Sequence, residues 1–143
     1  MVTVSGWGRT DPDDNTSVPD QLQTAELPIS SCANWMGQYS HKLPYFVCAG
    51  DAETGTCKGD SGGPLAFKSD DGIYTAIGIV SHRPGQCSGS SGAFVRISMY
   101  LDWIHEVSGI AMTNSDGDLS PTASCTENDH NNFGWITTTT AGA

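Results

Sequence analysis

Basic residues are scarce in this chain. Six Lys+Arg stand against 16 Asp+Glu, for a net charge of −10. Phosphate binding needs a basic face, so nucleic acid is excluded as a partner. The acidity itself reads as solubility. Long apolar runs are missing too: nothing approaches the ~20 residues of a membrane span. The opening Met1-Val2-Thr3-Val4-Ser5 lacks the basic start and apolar stretch of a secretory signal. If the protein is secreted, its signal lies upstream of this sequence. No Cys-x-x-Cys and no His-x-x-x-His occurs, so no metal site is expected.

What the chain does have is glycine (17 residues), five cysteines and many short alternating segments. Cys32, Cys48, Cys57, Cys87 and Cys125 suit disulfides in an oxidising compartment. Their number is odd and spacing alone permits several pairings. Val2–Val4, Leu22–Ile29, Tyr45–Ala49, Pro64–Lys68, Tyr74–Ser81 and Ala93–Ile97 read as strands. Arg9 to Asp20 reads as a polar loop, with Asp-Pro and Val-Pro turn signals. Short strands at this spacing predict an all-β domain, an antiparallel barrel or sandwich.

Ser98 is a candidate N-cap for a helix whose one face carries Leu101, Ile104, His105 and Ser108. Gly109 is its natural stop. Residues 109–143 are rich in Ser, Thr, Asn, Asp and Gly, and end in Thr137-Thr138-Thr139-Thr140-Ala141-Gly142-Ala143. That composition predicts a disordered tail or linker. Phe133, Trp135 and Ile136 form an apolar island within it. The globular domain is therefore expected over residues 1–108.

The chemistry concentrates at Gly59-Asp60-Ser61-Gly62-Gly63-Pro64. A serine hydroxyl is a weak nucleophile and needs an adjacent base and a donor cradle for a developing oxyanion. Small neighbours let the backbone turn sharply and let a substrate carbonyl approach. Gly59-x-Ser61-x-Gly63 also satisfies the nucleophile-elbow pattern of α/β-hydrolases. That reading needs a helix straight after the serine. Gly62-Gly63-Pro64 breaks a helix, and Leu65-Ala66-Phe67-Lys68 reads as a strand.

The six residues resemble the active-serine motif of chymotrypsin-like serine proteases. The resemblance extends, in order, to Gly6-Trp7-Gly8, Leu22-Gln23-x-Ala25-x-Leu27-Pro28 and Val47-Cys48-Ala49-Gly50. Cys57 to Leu65, Gly78-Ile79-Val80-Ser81 and Asp102-Trp103-Ile104 complete it. It implies one six-stranded antiparallel β-barrel, the C-terminal half of a two-barrel enzyme, with a terminal helix. It implies Ser61 as nucleophile and the N–H groups of Gly59 and Ser61 as the oxyanion hole. Asp60 would hold the N-terminal ammonium released by zymogen cleavage. Cys32–Cys48 and Cys57–Cys87 would be disulfides, each stabilising by ~3 kcal/mol. The primary specificity pocket would be lined by Gly55, Thr56, Ser81, His82, Arg83 and Gly92. The family requires no cofactor.

The family's catalytic histidine and aspartate precede the Gly-Trp-Gly motif. None of His41, His82, His105 and His130 lies where the base lies, and His105 is expected to be a partly buried helix residue. The chain is thus expected to be a fragment, inactive alone, whose partner is an N-terminal barrel carrying both residues. Its substrate would be a peptide or protein, and its location extracellular. Trypsin-like members carry an aspartate where Gly55 stands, so Lys or Arg specificity is not expected. Arg83 replaces the usual pocket-mouth glycine. It either narrows the pocket toward small side chains, attracts an acidic one, or points into solvent. The family's bridge from the strand after Pro64 has no cysteine here. Asn15-Thr16-Ser17 is an N-glycosylation sequon. Cys125 has no family counterpart. The alternative function is a non-catalytic protease homologue acting as a binding module.

Overall fold

A computed structural model describes residues 1–33, 37–85, 87, 91–110, 113–114 and 136–137, with 38–40, 113–114 and 136–137 as backbone only. The expectations placed on Cys125, His130, Phe133 and Trp135 lie outside these residues.

Seven strands form one antiparallel sheet. They are β1 (Val2–Gly6), β2 (Gln23–Leu27), β3 (Ile29–Ser30), β4 (Phe46–Ala49), β5 (Pro64–Lys68), β6 (Tyr74–His82) and β7 (Gly92–Arg96). Their spatial order is β2-β1-β5-β6-β7-β4-β3. The two edges, β2 and β3, are consecutive in the chain and separated only by Pro28. Counted as one bent strand, they reduce seven segments to six and curl the sheet into the second-barrel architecture. Pro28 interrupts the strand because it lacks an N–H. Its carbonyl still accepts from Gly50 N at 2.9 Å, which continues the β3–β4 pairing.

Alternation decides which side chains enter the barrel. Val2 and Val4 of β1 are buried while Thr3 and Ser5 are only half-buried. They join Leu27, Val47, Ala49, Leu65, Ile77, Val80 and Phe94 in one core cluster. Gly78 is small for a packing reason: a Cβ there would lie 2.9 Å from Phe94 Cβ and 3.4 Å from Leu65. The largest ring of the core sits where a side chain would otherwise be. Irregularities in register at Leu65/Ala66 and Val80/His82 bend β5 and β6.

The helix α1 spans Leu101–Ser108 and stops at Gly109, whose left-handed φ of 71° presents its N–H to the His105 carbonyl. Ser98 does not cap it. Ile97–Tyr100 winds first as a 3₁₀ turn, and Tyr100 precedes the helix without a side-chain cap bond. Leu101 and Ile104 are half-buried, whereas Trp103, Val107 and Ile110 are exposed. His105 is exposed rather than partly buried, with Nδ1 2.8 Å from the Ile110 carbonyl. A second 3₁₀ stretch, Gly37–Tyr45, leads into β4. In the stretch expected as tail, β8 (Thr113–Asn114) pairs with β9 (Ile136–Thr137). No helix among the described residues is long and apolar enough to cross a membrane.

Candidate active site

The turn at Ser61 is held by its own backbone. Asp60 N donates to the Cys57 carbonyl at 3.1 Å, and Gly63 N donates to the Asp60 carbonyl at 2.9 Å. Gly62 N then reaches the Val80 carbonyl at 3.0 Å, and Val80 N returns to the Gly63 carbonyl at 2.9 Å. These bonds fasten the turn to β6. Gly59 and Gly62 sit at φ of 105° and 84°, which side-chain-bearing residues rarely adopt. Ser61 is exposed at the crest. Among the described residues, neither its N–H nor that of Gly59 donates to a protein acceptor, and its hydroxyl has no partner.

Beneath the serine, the Asp60 carboxylate points inward. Gly8 N donates to Oδ1 and Cys57 N to Oδ2, both at 2.8 Å. Gly6 and Gly8 are the reason it fits. A Cβ on Gly8 would lie 2.5 Å from the carboxylate carbon, and one on Gly6 would collide with Oδ1. A Cβ on Gly59 would in turn lie 3.0 Å from Gly8 Cα. Arg9 N also donates to the Lys58 carbonyl at 3.0 Å. Gly6-Trp7-Gly8 and Gly59-Asp60-Ser61 are therefore one structure assembled from distant segments. In the sequence they stand as separate motifs. The spare signal was the pairing of two glycines with a carboxylate, which needs both close approach and donors.

A cavity of about 250 Å³ opens beside this anchor, lined by Gly6, Gly8, Thr10, Pro12, Thr54 and Asp60 among others. The loop that borders it is braced by short polar side chains. Ser17 Oγ donates toward the Asp11 and Asp14 carbonyls, and Asp14 Oδ1 accepts from Thr16 N at 2.8 Å. Those bonds to Thr16, side chain first, hold the Asp14 carboxyl below its ordinary pKa. Asn15 is exposed on this loop.

The second region precedes the serine turn. Thr56 is 5 % exposed and Gly55 half-buried. Gly92 of β7 is buried beside them: a Cβ on it would lie 3.6 Å from both Thr56 Oγ1 and the His82 carbonyl. Arg83 does not extend into solvent. It is half-buried, and its Nη1 donates to the Thr56 and Cys87 carbonyls. Desolvation lowers its pKa from the ordinary arginine value. Gly55, Thr56, His82, Arg83 and Gly92 are thus brought together. Ser81 is exposed on β6, between His82 and the Val80 that fastens the serine turn. Disulfides join Cys57 to Cys87 and Cys32 to Cys48, with Cα–Cα distances of 4.6 and 5.3 Å.

A curled antiparallel sheet, a terminal helix and a serine on a glycine-rich turn define a class: the second barrel of chymotrypsin-like serine proteases. Residues 1–104 match the trypsin family model, and the chain belongs to that family. It is 36% identical over 120 residues to "Serine protease filzig" of Drosophila melanogaster, covering 77% of this chain and 7% of that protein. It is also 36% identical over 109 residues to "Chymotrypsin-like elastase family member 3B" of Macaca mulatta. That match covers 72% of this chain and 42% of the relative, so the chain spans less than half the length of either protein. Family and relatives together support a serine-protease-like function.

Proposed function

We propose that this chain is the nucleophile-bearing half of a secreted serine endopeptidase, completed by an N-terminal barrel that supplies the catalytic histidine and aspartate. The observation that carries the reading is Ser61 at an exposed crest, with the unused N–H groups of Gly59 and Ser61 on either side of an anchored Asp60. The histidine of the other barrel takes the Ser61 proton as Oγ attacks the scissile carbonyl. The oxyanion that forms receives the N–H groups of Gly59 and Ser61. The histidine returns the proton to the leaving amine, leaving an acyl ester on Ser61. Water, activated by the same histidine, then releases the acid.

Asp60 has the place to receive an activating N-terminal ammonium. Two N–H donors occupy part of its capacity, a carboxylate offers about four lone-pair sites, and the neighbouring cavity has room for a chain terminus. Gly55 places no anion at the pocket floor, which favours a primary specificity other than Lys or Arg. The disulfides suit an extracellular protein. The substrate is a peptide or protein.

The test uses the complete two-barrel protein. Turnover of a chromogenic peptide library should fall by about 10³-fold or more in Ser61→Ala. A fluorophosphonate should label Ser61. The 143-residue chain alone should show no peptidase activity. A complete protein that neither turns over peptide nor takes the label is a non-catalytic homologue, a binding module on the same scaffold.

A further inference from the structure

We infer that Arg83 fills the primary pocket from wall to wall, and that the protease takes substrates with a small uncharged side chain on the acyl side of the cleaved bond. The inference rests on the proposed serine-endopeptidase reading, because that reading makes Gly55–Cys57 and Ser81–Arg83 pocket walls. The two carbonyls held by Nη1 belong to Thr56 and Cys87. They lie on the two segments that the Cys57–Cys87 bridge joins. The guanidinium therefore spans the same gap as the disulfide, as a second and non-covalent strut.

Its position relative to Gly55 shows what it displaces. A Cβ built on Gly55 would lie 3.2 Å from Nη1 and 3.4 Å from Nη2. The guanidinium covers the residue that lies at the floor of an open pocket. Because the group is planar and its donors form a rigid fork, it cannot yield part of that space while keeping both bonds. Nη1 carries two hydrogens and directs both at carbonyls. The nitrogen nearest Gly55 thus has none left for a substrate carboxylate, which argues against acidic selectivity. Its positive charge opposes an incoming Lys or Arg.

Two measurements separate this inference from the reading beneath it. The first needs no catalysis. In saturation-transfer NMR on the complete protein, indole should bind Arg83→Gly and not the wild-type protein. Arg83→Lys, which keeps the charge but loses the fork, should bind indole more weakly than Arg83→Gly. Equal indole binding by wild type and Arg83→Gly overturns the plug, whatever Ser61 does. The second measurement profiles the complete enzyme. Wild type should favour Ala, Ser or Val over Phe, Tyr or Leu. Arg83→Gly should raise kcat/KM for Phe and Leu substrates by about tenfold or more. A wild-type preference for Asp or Glu that vanishes in Arg83→Gly overturns the small-residue assignment. Loss of Ser61-dependent turnover removes the catalytic reading but leaves the indole result decisive for the plug.

Discussion

The serine turn at residues 57–63 and the neighbouring region that we propose as the primary pocket touch one another but are built by opposite means. The turn takes its shape from backbone: two positive-φ glycines, overlapping N–H to carbonyl bonds, and a carboxylate gripped by Gly8 and Cys57 amides. The pocket takes its shape from one long side chain, Arg83, laid across a gap between carbonyls. A backbone-built site tolerates few residues at each position, so its chemistry is written into local sequence. A side-chain-built site depends on where a flexible arm settles, which neighbouring residues do not state.

If the turn is backbone-built, adding a single methyl group should break it. Gly8→Ala pushes a Cβ into the Asp60 carboxylate and strips its donors. The expected loss is roughly 3–5 kcal/mol, combining overpacking with unsatisfied N–H groups. Urea denaturation of the complete protein reads it, and a loss below about 1 kcal/mol would mean the carboxylate can move aside.

The Cys57–Cys87 bridge sharpens the contrast, since it serves both regions. Replacing both cysteines with serine should cost about 3 kcal/mol by loosening the unfolded chain. The pocket should also widen, because Arg83 then spans a gap no longer fixed covalently. Indole uptake by the double-serine variant, checked by the same NMR experiment, registers that second effect. Unchanged exclusion of indole would show that Arg83 holds the gap alone.

The smallest effect lies where the chain enters the pocket. Asp51 Oδ1 accepts from Glu53 N at 2.9 Å and Thr54 N at 2.8 Å. These bonds, Glu53 first, hold its pKa below the ordinary aspartate value. A folded pKa below the unfolded one contributes stability at pH values above the unfolded pKa. That contribution disappears as pH falls through the folded value. The side-chain carbonyl shift of Asp51 should titrate below about 3.9, the ordinary aspartate value. Titration at or above that value would show the cap to be unformed in solution.

The strands were legible because burial on one face imposes a period of two. Val2 and Val4 show it directly, whereas in β6 Ile77 and Gly78 are both buried; the observed bounds differ little from those expected. Pro28 lies inside the expected strand Leu22–Ile29 and splits it, for want of an N–H. The 3₁₀ stretch Gly37–Tyr45 is not legible in the sequence because it carries no apolar period and contains Pro44. Ser98 offered a capping hydroxyl, but the preceding 3₁₀ turn moved the helix start past it. Gly59, Asp60 and Ser61 stand together as one motif in the sequence. The bond from Gly8 N to Asp60 is not legible there, since Gly8 lies far away along the chain.

The family, the barrel strands and the serine turn follow from residue order alone. Each depends on residue type at short range: alternating burial, glycine at positive φ, a hydroxyl beside small neighbours. Tertiary contacts are what bring Gly6 and Gly8 against Asp60 and turn Arg83 inward to the Thr56 and Cys87 carbonyls. Both depend on groups brought together from separate strands, and arginine has several rotatable bonds whose setting only the surrounding carbonyls select.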